Sequence, residues 1–207
     1  MAEKLVPAKK VKNAVLYKTG HIKVSNVRAS YPHLAEPYSG GTNDDGAPSK
    51  PKYSITALIP KDTHAAAIQL IKDQIEAAKK AHKGGPLRCA PSNLFLKDGD
   101  EHYPDKPECE GMYVLSARED RQPTILNMDR EELTSKNEIE EEFYGGCYVS
   151  IVIRPWTQEN GYGKRVNANL SSVLKRKDGE PFGEARVDTS DAYDDDDDNE
   201  WGDDDEV

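Results

Sequence analysis

Apolar and polar residues alternate in several stretches of the chain and recur with helical spacing in one. This pattern predicts five or more strands around one substantial helix. From Lys52 to Ile59, the residues Tyr53, Ile55, Ala57 and Ile59 fall on one face. Residues 147–154 alternate most clearly, with Cys147, Val149, Ile151 and Ile153 on one side and Tyr148, Ser150, Val152 and Arg154 on the other. Between Tyr162 and Lys175, the side chains of Val166, Ala168, Leu170 and Leu174 are expected inward, and those of Arg165, Asn167, Asn169 and Ser171 outward. From His21 to Tyr31 the phase changes between Val24 and Val27, which predicts a bulge near Ser25–Asn26. Such a kink suits a barrel. Met112–Ala117 and Thr124–Asn127 are two further strands, joined through the charged stretch 118–123.

Pro60 ends the strand that begins at Lys52, and Asp62 or Thr63 can cap a helix after it. Ile68, Ile71, Ile75 and Ala78 form the apolar stripe of that helix, which has about twenty residues in all, runs to about His82 and is closed by Gly84-Gly85-Pro86. Residues 36–51 are a turn-rich loop, and residues 86–110 a long loop with a short extended piece at Leu94–Leu96. No internal repeat is present. Residues 1–18 carry Lys4, Lys9, Lys10, Lys12 and Lys18 against Glu3 and read as a flexible basic arm. The chain thus divides into this arm, one domain over residues 19–187, and a tail over residues 188–207. The expected fold is mainly β: an OB-fold-like antiparallel barrel with one helix.

Charge changes the picture at the tail. Residues 188–207 hold twelve acidic side chains and no basic one, so removing them from a net charge of −10 leaves +2 on residues 1–187. Asp194, Asp195, Asp196, Asp197 and Asp198 precede Trp201, and Asp203, Asp204 and Asp205 come after it. A run of like charge with little apolar surface cannot offset its ordering entropy, so a disordered tail is expected. Trp201 gives that polyanion one hydrophobic anchor, as in a docking peptide for a basic partner; a solubility tail with an incidental aromatic is the plainer reading. A third option is that the tail folds back onto the basic body, which twenty flexible residues are long enough to reach, with a span of roughly 25 Å as a coil.

Composition excludes several classes. Apolar residues make up 36% and charged residues 32%. No stretch approaches a membrane span and Met1–Val11 lacks a secretory pattern, so a soluble cytoplasmic protein is expected. Cys89, Cys109 and Cys147 are too scattered for a disulfide framework or a zinc ribbon, and the five histidines are equally dispersed. No metal site or cofactor is expected; Asp98-Gly99-Asp100 reads as a turn. There is no GxSxG elbow, P-loop or HExxH, so an enzyme is not expected.

The polar strand faces do carry aromatic and cationic side chains together. Candidate contacts are Lys52, Tyr53, Tyr113, Arg118, Arg121, Tyr148, Arg154, Trp156, Tyr162, Lys164 and Arg165. Single-stranded nucleic acid needs this mixture: rings cover base faces at about 1–3 kcal/mol each, regardless of sequence, while cations track the phosphates. For any single tyrosine, a half-buried strand aromatic is the competing reading.

Residues 163–173, GKRVNANLSSV, together with residues 175–183, KRKDGEPFG, resemble the C-terminal block of a family of phage and prophage single-stranded-DNA-binding proteins. Tyr53–Pro60 with its adjoining helix, and Gly111–Ala117, are similar to the same family, so the resemblance covers about residues 20–185. It implies an OB-fold core that coats single-stranded DNA in replication or recombination. The acidic end is similar to the tails of other replication single-strand binders, including those of T7-like phages, which compete with DNA and recruit polymerase, helicase or nuclease partners. Those tails close on an aromatic or apolar residue, whereas Trp201 lies inside this one. Two other readings stand beside it: an acidic interaction protein, chaperone or DNA mimic that binds basic proteins and not nucleic acid, and a metal-dependent nuclease using Asp98, Asp100 and acids of residues 131–142.

Overall fold

The computed structural model describes residues 4–40, 49–161 and 163–183. Nine strands make one sheet: β1 (Pro7–Val11), β2 (Ala14–Tyr17), β3 (Ile22–Tyr38), β4 (Lys52–Pro60), β5 (Leu96–Asp98), β6 (Met112–Glu119), β7 (Thr124–Leu126), β8 (Tyr148–Asn160) and β9 (Gly163–Lys177). Five of them close on themselves. β3 pairs with β4, β4 with β6, β6 with β9 in parallel, β9 with β8, and β8 back with β3. This is the OB-fold's five-stranded barrel. Inside it lie Val27, Ala29, Ile55, Ala57, Leu115, Ala117, Val149, Ile151, Ile153, Val166 and Leu170, all at most 1% exposed.

Closure requires bends, and β3 supplies two. Its register against β8 shifts between Val24 and Val27, as the sequence predicts, with Asn26 at φ 59°. Its register against β4 shifts again between Ser30 and His33. Each shift exchanges the inward and outward positions: Ile22 and Val24 are buried, then Val27 and Ala29, then Leu34. A further shift between β8 and β9 falls at Ser171, since Val152 pairs with Ser172 but Ile153 with Leu170. Beyond it Val173 and Lys175 face inward, and Leu174 is only half-buried, contrary to the expectation from alternation.

The helix α1 spans Ala65–Lys80 and buries Ala67, Ile68, Leu70, Ile71 and Ile75. It is shorter than expected, and neither Asp62 nor Thr63 occupies its N-cap. His64 does, almost fully buried, without a side-chain bond to the helix. Its Nε2 lies 2.9 Å from the Ser25 carbonyl and its Nδ1 2.8 Å from the Thr63 hydroxyl. A carbonyl can only accept, so Nε2 carries the proton and Nδ1 accepts from Thr63. The imidazole thereby ties the helix to the first bulge of β3.

Other departures from the sequence reading concern the segments between strands. Residues 7–17 form the β1–β2 hairpin, which pairs onto β3 through Ala14, Val15 and Leu16, in place of the loose arm expected there. Residues 86–110 hold β5, two short 3-10 turns and the helix α2 (Gly99–His102). The acidic stretch contains α3 (Lys136–Glu142), with Ile139 buried. A second small core sits outside the barrel, where Leu58 and Val114 are covered by Cys109, Tyr103, Met112 and Phe182. The backbone passes close there: a Cβ on Gly146, at φ 112°, would overlap the Glu180 carbonyl and come within 2.9 Å of the Pro181 Cα. Among the described residues, no helix is long and apolar enough to cross a membrane.

Lys175 is 2% exposed. Its ammonium donates to the Glu142 carbonyl at the end of α3, pairs with Asp178 at 3.0 Å, and lies 4.9 Å from the Tyr144 ring centre. Burial alone would lower its pKa, but the bond to Asp178 and the charges of Asp178 and Glu142 hold it above the ordinary 10.5. Because the folded value is raised, the stabilisation is complete below the unfolded pKa and fades as pH rises past it. Lys175→Met should cost about 1–3 kcal/mol in urea melts at pH 7. The gap from the parent should narrow as the pH approaches 11; a gap unchanged between pH 7 and pH 11 would show that the ammonium contributes nothing.

Candidate nucleic-acid interface

Alternation on a closed barrel sends every second side chain outward, so cross-strand partners stand side by side on the outer face. One such row runs His33, Ser54, Arg118, Asn169, Arg154 across β3, β4, β6, β9 and β8. Along β8 the next outward residue after Arg154 is Trp156, opposite Asn167, and then Gln158, opposite Arg165. The Asn167 amide donates to Gln158 Oε1 at 2.9 Å, which fixes both side chains beside the indole. Trp156 is 41% exposed, unusual for so large an apolar ring.

Among the described residues, no ion pair involves Lys97, Arg118, Arg154 or Arg165. Lys97, on β5 opposite Val114, shows how concentrated the charge is: its pKa is lowered by burial, and further by the positive charges of Arg165 and Arg118. Like charges held together in this way favour an anionic ligand. Lys97 is absent from the sequence-based set, because a three-residue strand is too short to show alternation.

The other sequence candidates fall elsewhere or are already engaged. Lys52 pairs with Asp120 at 3.1 Å, as does Lys50, and the two lysines hold the Asp120 carboxyl below its usual range. Lys164 pairs with Glu159 at 2.6 Å, and Glu159 also meets His82 at 3.0 Å. Tyr53 shares the inward face of Ile55, half-buried and opposite Glu119. Arg121 is exposed in the turn before β7. Tyr113 sits at the opposite end of β6 from Arg118, with Lys61 at 5.2 Å and Lys72 at 4.4 Å from its ring centre. Tyr148 lies six residues along β8 from Arg154, between Arg28 and Lys177. Tyr162 and the tail residues Asp194–Asp198, Trp201 and Asp203–Asp205 lie outside the described residues. Asp98 and Asp100 both bind Lys61, at 2.5 Å and 2.7 Å.

Comparison with known proteins gives a consistent picture. Residues 20–204 match the family described as Enterobacter phage Enc34, ssDNA-binding protein. The putative protein p50 of Acyrthosiphon pisum secondary endosymbiont phage 1 is 31% identical over 182 residues, which are 84% of this chain and 92% of that protein. The solved structure of the single-stranded DNA-binding protein from bacteriophage Enc34 in complex with ssDNA is 70% identical, with a TM-score of 0.82, covering 88% of this chain and all of that one. The fold is shared more distantly by gp2.5, a single-stranded DNA binding protein encoded by bacteriophage T7, at 12% identity and a TM-score of 0.53, over 83% and 93% of the two chains.

The charge crowding itself is testable. In Arg165→Ala, the Lys97 ammonium should titrate at higher pH than in the parent, monitored by NMR of labelled lysine side chains. An unmoved midpoint would place the guanidinium too far from Lys97 to contribute.

Proposed function

Because the chain belongs to the Enc34 single-stranded-DNA-binding protein family of phages, we propose that it holds single-stranded DNA on the outer barrel face around Trp156, without regard to sequence. The observation that carries this placement is the set of four cations without an ion pair among the described residues, Lys97, Arg118, Arg154 and Arg165, beside an exposed indole. Phosphates neutralise the crowded charge and release their condensed counterions. A base covers the Trp156 ring, and stacking is indifferent to base identity. Asn167 and Asn169 offer both donors and acceptors, which suits bases of any kind. Binding is an equilibrium, and no covalent bond is made or broken.

Lys52 and Lys164 lie on β4 and β9, two strands of this face, and Arg121 lies in the turn before β7. The first two must give up Asp120 and Glu159 before they can serve a phosphate, so their net contribution is smaller. Tyr53, Tyr113, Tyr148 and Tyr162 are secondary candidates for stacking. The tail, with its twelve acids, competes with DNA for the same cations and presents Trp201 to replication proteins such as a polymerase, helicase or nuclease. The setting is phage DNA replication or recombination in the cytoplasm of the host bacterium. A protein that only sequesters basic partners would have no use for the cationic cluster.

Arg118→Ala and Arg165→Ala should each weaken oligo-dT binding and lower the slope of log affinity against log salt by about 0.7 per lost phosphate contact. Lys164→Ala should change both much less. Wild-type salt slopes in both arginine variants would move the DNA off this face. Removal of residues 188–207 should tighten binding, more at 20 mM salt than at 200 mM, in fluorescence titrations; equal affinities at low salt would rule out competition by the tail.

A further inference from the structure

The row that crosses the DNA face begins at His33 on β3, and just before it the backbone does something costly. Tyr31 has φ 46°, in the left-handed region. Asn13 and Asn26 also have positive φ, but asparagine adopts that region readily and a bulky aromatic does not. The cause is the second register shift of β3, which leaves Tyr31 and Pro32 without partners on β4. The result is a ring turned out of the barrel. Tyr31 is 58% exposed, the most exposed large hydrophobic side chain among the described residues.

The surroundings are not those of an idle surface ring. The Lys106 ammonium lies 5.0 Å from the Tyr31 ring centre. Tyr31 lines a groove of about 760 Å³ with Arg28, Ser30, His33, Glu108 and Phe182. Arg28 is fixed there: it donates to the carbonyls of Gly146 and Glu180, and its guanidinium lies 4.2 Å from the Phe182 ring centre. The groove therefore combines flat apolar surfaces, a hydroxyl and fixed positive charge. The Glu108 carboxylate in its lining disfavours a phosphate inside, so a base fits better than the backbone.

We propose that this groove is a second base-binding subsite, in which Tyr31 stacks on a nucleobase of the same strand that passes Trp156; it rests on the placement of DNA argued above. From β3 to β8 the row His33, Ser54, Arg118, Asn169, Arg154 winds around the barrel over four strand spacings, a curved path of roughly 19 Å. A strand bound along it meets an aromatic at each end and Arg118 between them. The unfavourable dihedral is the cost of aiming the ring.

A glycine substitution separates stacking from folding, because glycine adopts φ 46° without penalty. Tyr31→Gly should keep or raise the melting temperature while lowering oligo-dT affinity about five- to hundredfold, the range expected for a lost stacking partner. Tyr31→Phe should bind within twofold of the parent. A Tyr31→Gly protein that binds as tightly as the parent would overturn the subsite and leave the Trp156 face standing. A Tyr31→Phe protein as weak as Tyr31→Gly would overturn ring stacking as its basis. If the parent itself does not bind oligo-dT, the DNA reading falls and the subsite falls with it.

Discussion

Five strands can close into a barrel only if some of them bend, and in this protein each bend is an extra residue. The shifts near Asn26, at Tyr31–Pro32 and at Ser171 let long strands serve two neighbours, with regular pairing on either side of each shift. They also decide which side chains face out. Val173 and Lys175 are inside, and His33 lies in line with Arg118, because of single insertions in the pairing. The outer surface is therefore a product of closure, and so is any chemistry it carries.

The same geometry sorts the cations. Lys50, Lys52, Lys61, Lys136 and Lys164 each find a carboxylate, in pairs that make modest contributions at the surface, and Lys175 finds one where it is buried. Arg28, Lys72, Lys106 and Lys177 rest against rings instead. Among the described residues, the group around Trp156 has neither arrangement, and its positive charges add to burial in depressing Lys97. A folded body does not gain from such crowding, whereas a polyanion bound to it removes the repulsion.

Much of this is legible in the sequence where alternation is strict. β4 and the first half of β8 show their two faces directly, and Arg154 and Arg165 stand outward as alternation expects, whereas Arg118 and Trp156 lie where β6 and β8 run on past the alternating stretches. Parity fails at a bulge. In Ser171-Ser172-Val173-Leu174-Lys175 both phases contain an apolar residue, and a lysine is a poor guess for an inward position. The β1–β2 hairpin is hidden by its lysines, although Asn13, at φ 64°, is a turn residue. The helix α3 buries little beyond Ile139, too little for a periodic signal. The occupation of Lys52 by Asp120 joins residues brought together only by the fold. The resemblance to phage single-strand binders supplies what alternation lacks, since it identifies a barrel whose closure cannot be traced from periodicity.

One junction of the barrel is thinner than the rest. β6 and β9 meet in parallel through a single bridge, Arg118 to Asn169, with Leu94 and Phe95 filling in beside Val166. A seam with so few backbone bonds is where amide exchange and local opening should concentrate. It lies directly beneath the middle of the cationic row. A nucleic-acid strand laid over it would act as a staple, so occupancy of the surface and integrity of the barrel become linked quantities.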